Sequence, residues 1–418
     1  GPDPGGILSH GALSIQAGDL DSSSGYLGST GPLSLSAGSV GNIDGLIISD
    51  HGMTLSLSNL DNTQGQIQSA DDLSVGTGSG ELRNVGGLLR SGGLLSAAAG
   101  QIDNSGTNGS GQGIEGRDVS LAAAILDNSN GRTRADNNLT IASANINNDN
   151  GLLSAGNTLS ISDSAVVPSL AVTNSDGTLI AGQQLALTAA SLVNTGQILS
   201  QGNLSLQLHN DFTNGGLIQA DHDANLSLPG TLTNRGSILA GNDLDIAAAA
   251  IDNQTTGEIN ATTTRIVATN TLSNRGLIDG FDTAIDAQTV NNLGTGRLYG
   301  DHLGIAATTL NNTDEAGVSP TIAARDRLDL GLTTLNNDNG AQLFSSGDLA
   351  IGGTLDANRR ASGRAGTITN NGGTIQALGA LSIAADTIVN SNANFSATTV
   401  AGATVGSTTY YTSRGNFT

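Results

Sequence analysis

The chain has 418 residues, 37% of them hydrophobic and 2% aromatic, with 59 glycines, no tryptophan and no cysteine. That balance excludes a thick globular core, a disulfide framework and thiol chemistry. A net charge of −21, against fifteen arginines and no lysine, disfavours nucleic acid and passive docking on an anionic membrane.

An acidic surface of this kind is expected to keep the chain soluble and monomeric. No run of 18 apolar residues is present to span a bilayer, so no membrane insertion by this segment is expected. Residues 1–5 read as a leader or a cleavage scar, and the chain as a piece of a longer protein. Repetition is already running at Gly6-Ile7-Leu8.

From there seventeen asparagines return at nearly one spacing. They are Asn42, Asn62, Asn84, Asn104, Asn128, Asn148, Asn174, Asn194, Asn214, Asn234, Asn253, Asn274, Asn292, Asn312, Asn337, Asn370 and Asn390. Half of their sixteen intervals are 20 residues, and a period near 20 is the mark of a stacked solenoid. Disorder, the other reading of a Gly/Asn/Ser-rich acidic chain, does not require such a register.

Leu60 to Val75 is a representative unit. Leu60 and Asn62 alternate with Asp61 and so face the same way, inward. Gly65-Gln66-Ile67-Gln68-Ser69 alternates again with Ile67 inside, Asp71 and Asp72 form a turn, and Leu73-Ser74-Val75 is a third strand. Three short strands per unit predict an all-β fold: a right-handed parallel β-helix of about eighteen triangular coils in three sheets. With Ser22 at the first corner and a rise of ~4.8 Å per coil, the rod would be roughly 85 Å long.

Each corner asparagine carries one acceptor and two donors, so a column of them can bond along the stack. Asparagine also tolerates the left-handed conformation of sharp turns. Both readings, ladder and simple turn former, are structural. Four long intervals should leave the stack as loops at Ser105–Gly113, Ser162–Leu170, Thr313–Pro320 and Leu355–Gly366. The even coils from Asn174 to Asn234 should be the firmest, and those around residues 313–366 the weakest. The shaft is bounded as residues 6–395, and residues 396–418 form a non-repeat tail that carries Tyr410, Tyr411 and Phe417. That tail is either the approach to a following domain or a frayed end.

Acidic residues recur before the third strand, among them Asp50, Asp71, Asp72, Asp223, Asp243, Asp282, Asp301 and Asp348. A catalytic pair of carboxylates would be local, whereas recurrence over the whole length points to turns. The calcium-binding glycine/aspartate nonapeptide is missing, and His10, His51, His222 and His302 lie too far apart for a zinc site. They read as solvated turn residues, and no cofactor or metal is expected. Arg359, Arg360 and Arg364 form the one basic patch, a candidate contact loop.

The unit L-x-N-x-x-G-x-I-x-(S/A)-x-x-x-L-x-L-x-A resembles the haemagglutinin repeat of filamentous haemagglutinins and of contact-dependent growth-inhibition exoproteins. Leu192-Val193-Asn194-Thr195-Gly196-Gln197-Ile198 and Leu272-Ser273-Asn274-Arg275-Gly276-Leu277-Ile278 carry it well. The resemblance implies a Gram-negative cell-surface protein, exported through an outer-membrane two-partner-secretion transporter. It also implies a target-cell or host receptor that is met through regions outside this segment. Three roles stay open: a structural shaft projecting a distal receptor-binding or toxin region, an adhesin module acting through 355–366 or the tail, and a β-helical polysaccharide-degrading enzyme. The first two are not enzymes.

Overall fold

The computed structural model describes residues 6–163, 168–392, 395–398, 402 and 406. Among these there is no helix, and parallel strands stack as a β-solenoid of about 19 turns. Gly6–Ser9 and Leu13–Gln16 come before Asp19–Asp21, the strand that runs into the first corner at Ser22, which is why the turns outnumber the eighteen corners visible in the sequence. Residues 1–5 lie outside the described residues, as do 164–167 and nearly all of 396–418.

Each turn gives one strand to each of three columns. In one turn these are Asn59–Asp61, Gln66–Ser69 and Leu73–Gly76. The next turn repeats them in parallel register, with Leu60 on Leu82, Ile67 on Leu89 and Leu73 on Leu95. Like therefore sits on like. The alternation of the sequence sends Ile47, Ile67, Leu89, Ile114 and their equivalents to full burial, while Ser and Thr of the third strand face out.

No strand of three or four residues could hold its own backbone groups against water. Stacking gives each N–H and C=O a partner in the turn above or below, and burial of one or two apolar side chains per strand closes a thin core. Several strands continue around the corner between the third and first columns, as Leu94–Asp103 and Asp118–Asp127 do. Asp243–Asn253, Thr263–Asn274 and Asp282–Leu293 do so with a register shift at the bend, as between Ala248 and Ala250.

Insertions leave the stack at its corners. Residues 314–320 form a small loop closed by a Glu315–Val318 bridge. The longest insertion is an antiparallel hairpin, Thr354–Leu355 against Ala361–Ser362, and it folds back onto the rod.

Phe212 is the largest fully buried side chain, standing in a column with Leu232. Phe212→Ala should cost about 3–5 kcal/mol in a denaturant titration. Phe212→Leu, which matches its neighbour, should cost less than about 1.5 kcal/mol.

Candidate functional site

The seventeen asparagines stand in one column at the end of the first strand, and those from Asn42 to Asn337 are fully buried. Sixteen amide–amide hydrogen bonds link them without a gap. Each Nδ2 donates to the Oδ1 of the next turn, from Asn42 to Asn62 at 2.7 Å through Asn194 to Asn214 at 2.9 Å and on to Asn370 with Asn390 at 2.8 Å. The second amide hydrogen serves the backbone. Asn62 Nδ2 reaches the Gly65 carbonyl of its own turn at 3.2 Å and the Leu88 carbonyl of the next turn at 3.1 Å. The column thus fills the hydrogen-bonding gap that the corner opens between the first and second strands.

The left-handed turn residue is not the column asparagine. It is the residue two further on, such as Asp44, Gln64, Asn130, Asn150 and Asp176, with φ near 50°. The sharp bend is displaced two residues, which leaves the column residue free to aim its amide inward. Glycine follows at Gly65, Gly87 and Gly151 because the backbone of the preceding turn passes there; a Cβ at Gly65 would collide with the Asn42 carbonyl oxygen.

Every bond in the column runs the same way, so the amide dipoles add and polarise one another. Its acceptor end is open: Asn42 Oδ1 is buried without a hydrogen-bond partner, because Ser22 holds the equivalent corner.

The acidic edge has a backbone role as well. Asp72 Oδ1 accepts the Leu94 N–H of the next turn at 2.8 Å, and Asp118 and Asp348 receive Asn138 N–H and Ala380 N–H in the same manner. Stacked carboxylates repel at this spacing, and arginines are inserted where they crowd. Arg325 Nη2 donates to Asp279 at 2.6 Å and its Nη1 to Asp301 at 3.1 Å. Arg275 grips Glu315 with two hydrogen bonds, of 2.7 and 2.8 Å.

The arginines of the hairpin are all engaged internally. Arg359 donates twice to Asp286, at 2.8 Å each, and to the carbonyls of Ile285 and Gly304. Arg364 bonds Asp386 at 3.1 Å, and Arg360 lies 3.7 Å from Asp329. Asp329, the neighbour of Arg360, was not marked by the sequence. Its side chain points out of the sheet yet is fully buried by the hairpin. It accepts from Arg327 at 2.6 Å and from Ala361 N–H at 2.9 Å, and faces His302 at 3.2 Å. His302 is therefore a half-buried member of this cluster, flanked by Asp282 at 3.5 Å, and not a solvated turn residue. His51, by contrast, is exposed beside Asp71. The available signal was a pair of glycines inside strands, Gly304 and Gly331, where another backbone passes close: a Cβ at Gly331 would lie 2.5 Å from the Thr354 carbonyl carbon.

Burial pushes the Asp329 carboxyl up, but the hydrogen bonds from His302, Arg327 and Ala361 N–H, with the Arg327 charge, outweigh it and hold the group at about 2. Among the described residues no group of three or more His, Asp or Glu side chains is placed to hold a metal ion. A shallow groove of about 520 Å³ runs along the corner from Ala240 to Arg325, with Phe281 65% exposed at its rim.

An unbroken parallel stack with a buried amide column defines a fibrous β-solenoid. The haemagglutinin-repeat family model matches residues 3–44, 28–79, 74–106, 108–167, 165–221, 199–276, 282–331 and 330–405, and the chain belongs to that family. No curated protein and no solved structure matches it.

Two outcomes follow from the column. Asn194→Leu should cost about 1–3 kcal/mol by leaving the Asn174 donor and Asn214 acceptor unmet, while Asp243→Asn on the outer corner should stay within about 0.5 kcal/mol. Ser22→Asn should stabilise by about 1 kcal/mol by supplying a donor to Asn42 Oδ1. Denaturant midpoints measure all three. For Asp329, whose folded value lies below the ordinary 3.8, the contribution is fully present above pH ~4 and lost as pH falls through about 2. It amounts to about 2 kcal/mol, and Asp329→Asn should abolish that part of the acid dependence.

Proposed function

We propose that this chain is a shaft segment of a secreted Gram-negative surface exoprotein, holding a distal receptor-binding or toxin-bearing region away from the producing cell. The observation that carries this reading is the asparagine column, continuous through sixteen bonds from Asn42 to Asn390. A column of that length resists bending and slippage at every turn alike, which is what a spacer requires and what a local binding site does not. Membership of a structural and adhesive repeat family supports it. Export through an outer-membrane partner of the two-partner type belongs to the same proposal. A narrow, cysteine-free chain whose hydrogen bonds form turn by turn suits threading followed by folding outside.

The adhesin reading through residues 355–366 has less support, since Arg359, Arg360 and Arg364 face internal carboxylates. The test is a register-preserving deletion in the cell-surface protein. Removing residues 174–233 takes out the three turns that begin at Asn174, Asn194 and Asn214 and joins Thr173 to Asn234 in frame. Surface display and target-cell binding or inhibition should persist, with the reach shortened by roughly 14 Å. Loss of target-cell binding while display is intact would overturn the shaft reading.

A further inference from the structure

In a solenoid each turn touches only its neighbours, so turns are expected to open singly and inward from weak points. The hairpin at 353–364 departs from that rule. It rises from the turn of Asp348–Gly352 and lies across the outward face of the third column. Arg359 reaches Asp286 and the Ile285 carbonyl three turns toward the N-terminus, and the Gly304 carbonyl two turns away. Ala361 N–H bonds Asp329 one turn away, and Arg364 bonds Asp386 and the Ala385 carbonyl one turn in the other direction. The register confirms five successive levels, Ile285, Ile305, Leu330, Ile351 and Ile383.

We propose that this hairpin is a strap that makes the five turns open as one cooperative unit. The inference goes beyond the shaft reading and does not depend on it. The contacts are charge-assisted: Arg359 Nη1 donates to both oxygens of Asp286 while Nη2 donates to two carbonyls, and a backbone N–H meets a buried carboxylate. Arg359 sits at φ 59°, a conformation disfavoured for a side chain of its kind and held in place by its four hydrogen bonds. Gly304 and Gly331 leave room for the strap to lie flat; at Gly304 a Cβ would stand 3.1 Å from Arg359 Nε. Opening the turn of Asp286 must break the Arg359 grip and loosen the hairpin, which strains the Ala361 N–H bond to Asp329 one turn from the hairpin's base. The cost of opening one turn is thereby shared by all five.

Hydrogen exchange on the intact protein tests this. In the wild type, amides of Asp282–Leu293, Arg297–Thr313 and Thr321–Asp338 should exchange at one common rate through one opening. In Arg359→Ala that common rate should split, and Asp282–Leu293 with Arg297–Thr313 should speed up about tenfold or more, while Gln184–Ala189 stays unchanged. Arg359→Lys, which keeps the charge but loses the planar fork, should fall between the two and serves if the alanine variant does not fold. Separate rates already present in the wild type would overturn the strap. So would an acceleration confined to 353–364, or one spread equally to Gln184–Ala189.

Discussion

A backbone that turns three corners every 20 residues repeatedly breaks its own hydrogen-bond ladder, and the corner nearest the core cannot borrow water to repair it. Asparagine answers this need with one side chain. Its oxygen takes the donor from the turn below, one amide hydrogen passes the bond upward, and the other reaches the orphaned carbonyls at the bend. Glutamine would be a methylene too long and aspartate would bring a buried charge with no donor to give. Once the column is set, the aliphatic columns beside it fall into register, because a slip of one residue would break every amide bond and turn Ile67 and its equivalents to solvent.

The rest of the surface is governed by a second constraint, like charge repeated at each turn. Carboxylates cap backbone N–H groups at the outer corner, so they recur, and recurrence places them near one another. Over much of the rod these side chains remain in water and the repulsion is screened. Between Asp252 and Asp386 the solution is different: Arg275, Arg325 and Arg327 each bridge two acidic residues, and Arg359 and Arg364 each pair with one. Exposed pairs of this kind contribute little singly. Asp329 is the exception, since the hairpin removes it from water and makes its partners obligatory.

This braced region is where the spacing of the asparagines is least regular, and irregular spacing reads as weakness. The structure places there the longest strands, fully buried aliphatics at Leu328, Leu330, Leu332 and Leu335, and the hairpin itself. The extra residues after Leu355 do not merely leave the stack; they return to it.

What the sequence determined by itself was everything that repeats. The period, the three alternating segments, the inward faces and the seventeen column residues were legible because each turn restates them, and stacking converts a spacing along the chain directly into a contact. The position of the left-handed residue, two beyond Asn62 rather than at it, was not legible, since the pattern marks a bend without saying which peptide turns. Nor were the partners of Arg359 and Asp329. Arg359 and Asp286 are 73 residues apart, occur once, and meet only because a hairpin folds back across turns that the stack has already aligned. A contact made once leaves no period to read, and only the tertiary structure could decide it.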